Sequence, residues 1–131
     1  MVCFDTSFLV DLIRRNPSAE TKLQFFLDRG DSLTTTPVTA AELFEGAYSS
    51  KKSRVELERV RGLLEHLELL ALSIPVCERY GQLVNEMRST ESPIGDLDTL
   101  IASAAIVNRT ILLTKDRKHF DRVPGLVVQS W

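Results

Sequence analysis

Along this chain, short apolar runs alternate with longer stretches in which apolar residues recur at helical spacing. Val2-Cys3-Phe4 is the first such run; it ends at Asp5-Thr6-Ser7, and Phe8, Leu9, Leu12 and Ile13 follow in helical phase. This pattern predicts a buried strand feeding directly into a helix, with Asp5 at the strand's carboxyl end. Asn16-Pro17 ends that helix and starts a second over 18–29, with Leu23, Phe26 and Leu27 on its apolar face and Gly30-Asp31 closing it. Ser32-Leu33-Thr34-Thr35-Thr36 is β-branched and short, a second strand stopped by Pro37. Thr39-Ala40-Ala41-Glu42 has capping-box spacing, which predicts a helix start there with the Glu42 carboxylate turned back onto the backbone; Leu43, Phe44, Ala47 and Tyr48 continue it.

After a polar turn at 49–53, Leu57, Val60, Leu64 and Leu67 mark one face of an amphipathic helix. Leu69-Leu70-Ala71-Leu72 predicts a third strand, and Pro75 opens a helix with Val76, Tyr80, Leu83, Val84 and Met87 in phase. A polar loop at 89–92 leads to Ile94-Gly95-Asp96-Leu97-Asp98-Thr99-Leu100-Ile101-Ala102-Ser103, where Pro93 and Gly95 break the chain. Asp96 is typed for an N-cap of a helix reaching Val107, with Asp98 in its first turn; the positive end of a helix favours ionised carboxylates, so both are expected to be anionic at neutral pH. Ile111-Leu112-Leu113-Thr114 is a fourth strand, a charged segment over 115–120 lies just past it, and Leu126-Val127-Val128 predicts a fifth, edge-like strand. Strands alternating with helices throughout imply an α/β fold, a mostly parallel central sheet of four to five strands with helices on both faces, and residues 1–131 are expected to form a single domain.

Composition narrows the function. At 131 residues with 44% hydrophobic and 26% charged positions the chain has the make-up of a globular protein, and no apolar run approaches the ~20 residues needed to span a bilayer. The N-terminus has no basic stretch leading into a long apolar one, so the expected location is cytoplasmic, with no membrane partner. Cys3 and Cys77 lie far apart without metal-ligand spacing and are expected to be small buried side chains. The net charge of −2, from 16 Lys and Arg against 18 Asp and Glu, argues against a broad nucleic-acid coat. That argument weakens if Asp5, Glu42, Asp96, Asp98 and Asp116 gather at one site, because the remaining surface is then net basic.

In an open parallel sheet, ligands bind outside the carboxyl ends of the strands. Asp5 and Asp116 follow strands, and Glu42, Asp96 and Asp98 stand in first turns of helices that begin after strands or loops, so all can share one edge. Taken singly, each has an ordinary structural use as a cap or turn residue. Together they would repel unless a cation joined them, and hard oxygen ligands point to Mg²⁺ or Mn²⁺ and to metal-assisted attack of water on a phosphodiester. Two positions apart on a helix, Asp96 and Asp98 diverge by roughly 200°, which favours Asp98 as ligand and Asp96 as cap or outer-shell group.

The order Asp5-Thr6, Glu42 in Ala-Glu-Leu-Phe-Glu-Gly, Asp98 in Ile-Gly-Asp-Leu-Asp-Thr-Leu-Ile-Ala, Asp116 in Leu-Thr-Lys-Asp-Arg-Lys-His-Phe and a late Val-Pro-Gly-Leu resembles the PIN domains of VapC toxins, over essentially the whole chain. That resemblance implies that Asp5, Glu42, Asp98 and Asp116 bind one or two Mg²⁺ or Mn²⁺ ions, with Thr6 and Thr114 as hydroxyl groups beside them. It also implies an endoribonuclease acting on structured RNA such as tRNA, a homodimer, and inhibition by a VapB antitoxin whose tail covers the cleft. Asp96 stands where the family has no regular acid, and position 116 is Asn in some relatives. Lys115, Arg117 and Lys118 adjoin the site as candidate phosphate contacts. His119 is either a turn histidine or a proton donor to the leaving group. Two other classes fit parts of the pattern: a non-catalytic, metal-stabilised binding module, and a phosphoacceptor receiver domain. The receiver reading is disfavoured because strands in the middle of the chain end in Thr36 and Ser73 rather than in an acid.

Overall fold

A computed structural model describes residues 1–88, 90 and 94–131. The predicted polar loop at 89–92, Thr90 excepted, and the break at Pro93 lie outside the described residues. Five strands, β1 (Val2–Phe4), β2 (Leu33–Thr35), β3 (Glu68–Leu69), β4 (Ile111–Leu113) and β5 (Val128–Gln129), form one sheet in the order β3-β2-β1-β4-β5. Every pairing is parallel, with Cys3 opposite Thr34 on one side and Leu112 on the other. Among the described residues there are seven helices, α1 (Thr6–Ile13), α2 (Pro17–Asp28), α3 (Pro37–Ser49), α4 (Ser53–Leu64), α5 (Ile74–Arg88), α6 (Asp96–Val107) and α7 (Arg117–Phe120).

The neighbouring strands β1 and β4 are apolar throughout because both sheet faces are covered there, and their residues divide between two cores with the two-residue period of a strand. Val2, Phe4 and Leu113 join Phe8, Leu9, Phe26, Leu43 and Val60 beneath α1, α2, α3 and α4. Cys3 and Leu112 face the other way, into Leu83, Met87, Ile101, Ala102, Ala105 and Phe120 from α5, α6 and α7. The small residues Ala102 and Ala105 are fully buried on α6, whose closest helical neighbour is α5.

Four local expectations are corrected. Helix α3 starts at Pro37, not Thr39: its N-cap is Thr36, whose hydroxyl accepts from the Thr39 amide at 3.1 Å. Proline at the first helical position loses no needed N–H, so Thr36-Pro37 outcompetes the capping box and leaves Glu42 free of the helix end. Helix α6 is capped by Gly95, and Asp96 is its first residue rather than its cap. The third strand is Glu68–Leu69, one step earlier than the apolar run, and α4 stops at Leu64 so that Leu67 packs from beyond its end.

Chain order also misplaces the middle of the sheet. The central strand is β1, the first in the chain, and it does end in an acid, Asp5. The helix following β1 packs on one face and the helix following β4 on the other, which opens a crevice between the carboxyl ends of these neighbouring strands.

Candidate metal centre

Asp5 sits at the floor of that crevice, 6% exposed, as the residue between β1 and α1. Its side chain makes no capping bond to α1 and is held sideways across the sheet instead. Thr114, just past β4, donates its hydroxyl to Asp5 Oδ2 at 2.7 Å and accepts the Asp116 amide at 3.0 Å. Ser7 Oγ lies 3.4 Å from the same Oδ2 and accepts the Lys115 amide at 3.1 Å. Two hydroxyl groups thus tie the carboxylate ending β1 to the backbone that follows β4.

Glu42 arrives from the second turn of α3, where Thr6 Oγ1 donates to Glu42 Oε1 at 2.7 Å. Thr39 Oγ1 backs Thr6 at 3.4 Å and Thr36 Oγ1 backs Thr39 at 3.4 Å, so the hydroxyl line runs from the α3 cap to the acid. Asp98 comes from the first turn of α6, and Asp116 from the residue before α7, where its Oδ2 meets His119 Nδ1 at 2.7 Å. Asp98, Asp116 and His119 can each present one ligand atom, all within 4.8 Å of one another.

The electrostatics describe crowded anions. Burial, then the charges of Asp5, Glu42 and Asp116, push the Asp98 carboxyl up to about 6, against which the positive influence of His119 works. Burial also raises Asp5, opposed by the hydrogen bonds from Thr114, the Thr6 backbone and Ser7, and helped by Asp116. The favourable helix N-terminus is outweighed by desolvation and three like charges, yet the group is still largely anionic at neutral pH, as expected.

The PIN-domain family profile matches residues 2–126 of this chain. The chain belongs to the PIN-domain family. Ribonuclease VapC2 of Rickettsia felis is 30% identical over 127 residues, 97% of this chain and 95% of that protein. The tRNA(fMet)-specific endonuclease VapC of Shigella flexneri is 28% identical over the same shares of the two chains. Among solved structures, VapBC2 from Rickettsia felis bound to a DNA fragment from their promoter superposes with a TM-score of 0.93 at 28% identity, covering all of this chain and 99% of the other. This PIN domain is thus of the VapC type along its whole length.

Within the PIN domain the structure separates the sequence candidates. Asp5, Glu42 and Asp116 all lie near enough for their charges to act on Asp98, with Asp98, Asp116 and His119 at ligand distance of one another, and Thr6 and Thr114 hold Glu42 and Asp5. Asp96 is exposed and makes no hydrogen bond or ion pair among the described residues. Lys115 Nζ is engaged by the Asp11 carboxylate at 2.6 Å, Arg117 lies 3.5 Å from Asp121, and Lys118 is exposed. Ser7, Thr39 and Asp11 were not among the site residues expected from the sequence. Ser7 had a signal, standing two residues after Asp5 where a hydroxyl can reach back to that carboxylate. From Thr6 and Glu42 a cavity of about 350 Å³ runs between α1, α3 and α4 and carries Arg14, Glu56 and Arg59. Among the described residues no helix is long and apolar enough to cross a membrane.

Proposed function

We propose that this PIN domain is a Mg²⁺- or Mn²⁺-dependent endoribonuclease, the toxin of a VapBC-type pair, that hydrolyses phosphodiester bonds in structured RNA such as tRNA. The observation that carries this reading is the convergence of four carboxylates from four different segments at the β1/β4 crevice. The donor set fits a hard divalent cation: the groups are carboxylate oxygens with one accessible imidazole, they lack thiolates, and their mutual repulsion is relieved by positive charge. Asp5, Glu42, Asp98 and Asp116 would hold the ion. Bound there, it supplies an activated water and stabilises negative charge on the scissile phosphate.

The chain's own residues do the positioning. Thr114 and Ser7 orient Asp5 against the β4 end, Thr6 orients Glu42, and Asp116 holds the His119 ring beside the cluster. Burial of Asp5 keeps bulk water from screening that carboxylate, while the exposed His119 and part-exposed Asp116 leave the site open to solvent. No protein nucleophile is required. The homologous solved structures contain VapB with VapC, and we assign this chain a VapB-type antitoxin whose tail enters the cavity beginning at Thr6 and Glu42, a homodimeric state and a cytoplasmic site of action.

The test is induction of the protein in a bacterial host, with sequencing of RNA 5′ ends. Discrete breaks in a structured RNA that vanish with Asp98→Asn and on co-expression of the antitoxin support the reading. An unbroken RNA pool at high protein level removes it.

A further inference from the structure

Asp11 is an acid in the middle of α1, and its side chain is 9% exposed. A buried carboxylate needs partners, and Asp11 Oδ2 has two: Lys115 Nζ at 2.6 Å and Trp131 Nε1 at 3.2 Å. Trp131 is in turn seated edge-on against Phe8, 4.8 Å between ring centroids, and Lys115 Nζ lies 5.7 Å from the centre of the indole. Asp11 stands four residues after Ser7, one helical turn along the same face of α1. Helix α1 therefore grips Lys115 twice, by its ammonium through Asp11 and by its amide through Ser7 Oγ at 3.1 Å. Lys115 is flanked by Thr114, which holds Asp5, and by Asp116.

We propose that Asp11, Lys115 and Trp131 form a latch that positions the Thr114–Asp116 segment, and that this latch sets the cation affinity of the acid cluster. The proposal rests on the metal-centre reading above and assigns Lys115 a positioning role in place of phosphate contact. The logic is geometric. Only three residues separate the last strand residue, Leu113, from the start of α7 at Arg117. Within them the Thr114 hydroxyl and the Asp116 carboxyl must face the crevice while the intervening Lys115 side chain points to α1. Pinning the middle residue fixes the two on either side. Asp11 touches none of the four acids, so its influence passes through Lys115, and Trp131 acts one step further out by orienting Asp11. Partners of metal ligands are commonly worth about 10- to 100-fold in metal affinity.

The test compares wild type with Lys115→Met, Lys115→Arg and Trp131→Phe by direct titration with Mn²⁺, reading free Mn²⁺ by electron paramagnetic resonance, and urea unfolding checks that each variant folds. Lys115→Met, at an exposed side chain, is expected to weaken Mn²⁺ binding about 10-fold. Lys115→Arg keeps the cation and is expected to restore binding, and Trp131→Phe keeps a smaller aromatic ring but loses the N–H and should fall between. With RNA as substrate, the KM of Lys115→Met stays at the wild-type value and kcat recovers at saturating Mn²⁺. Unchanged Mn²⁺ affinity in folded Lys115→Met overturns the latch, as does a raised KM for RNA with Mn²⁺ affinity intact, which would return Lys115 to phosphate contact. The two readings fail separately. Wild-type protein that binds Mn²⁺ without cutting RNA loses the nuclease assignment while the affinities still decide the latch. Wild-type protein that cuts RNA beside a Lys115→Met variant of unchanged Mn²⁺ affinity loses the latch alone.

Discussion

Replacing Asp98 with Asn should make the metal-free protein more stable while destroying its site, and the size of the gain follows from the geometry. Burial and the charges of Asp5, Glu42 and Asp116 raise the Asp98 carboxyl from 3.8 to about 6. A rise of that extent corresponds to about 3 kcal/mol of unfavourable ionisation in the folded state at neutral pH. Asp98 is only half-buried, and solvent screening reduces the expected effect to about 1.5 kcal/mol. The sign is fixed by linkage: the folded carboxyl binds its proton more tightly than the unfolded one. Stability is therefore complete below pH 3.8 and is lost as pH rises through about 6. Asparagine has no charge to lose and escapes that decline. In EDTA at pH 7.5, Asp98→Asn should unfold about 5 °C above wild type, and at pH 3.5 the two should coincide. Saturating Mg²⁺ or Mn²⁺ should reverse the order, because a ligand at 100 times its dissociation constant adds about 2.7 kcal/mol to a protein that binds it. Thermal unfolding by circular dichroism across that pH range reads all three conditions. A variant no more stable than wild type at pH 7.5, or equally more stable at pH 3.5, would refute the crowding argument.

Thr114→Val keeps the side-chain shape but removes the hydroxyl that donates to Asp5 Oδ2 at 2.7 Å; urea unfolding should show a loss of about 2 kcal/mol at pH 7.5 that shrinks in acid as Asp5 takes up a proton, and an equal loss at both would contradict the role given to the ionised carboxylate. Thr36→Ala removes the cap of α3, so it should cost about 1 kcal/mol, whereas Thr39→Ala would be the costlier change had the capping box held. The buried Cys3 thiol is pushed up to about 12, chiefly by desolvation, and Cys77 is exposed; a thiol reagent at pH 8 should therefore label one cysteine in the folded protein and two in urea.

Much of the fold was legible because it is local. Val2-Cys3-Phe4 running into Asp5 and a helical phase fixes β1, α1 and the acid between them, and the two-residue division of that strand between two cores is what a doubly covered parallel sheet demands. The order of strands was not legible, since parallel neighbours are chosen by which helices cover which face; β1 lies at the centre although it comes first. At α3 two threonines three residues apart competed for the cap, and Pro37 was the clue that Thr36 wins. The four acids could be placed on one edge from their positions relative to strands. Their hydroxyl supports were partly readable, Thr6 and Thr114 from the family pattern and Ser7 from its spacing. The partnership of Asp11, Lys115 and Trp131 was not, because Asp11 and Trp131 are 120 positions apart and nothing in either's neighbourhood announces the other.

The most direct measurement is cleavage of purified total RNA by the wild-type protein and by Asp98→Asn in Mg²⁺, in Mn²⁺ and in EDTA, with the ends of every product mapped. The four-acid account predicts discrete fragments of a structured RNA from the wild type with either metal and none in EDTA or from the variant. Cleavage that persists in EDTA or in Asp98→Asn, or metal-stabilised protein that cuts nothing, would contradict it.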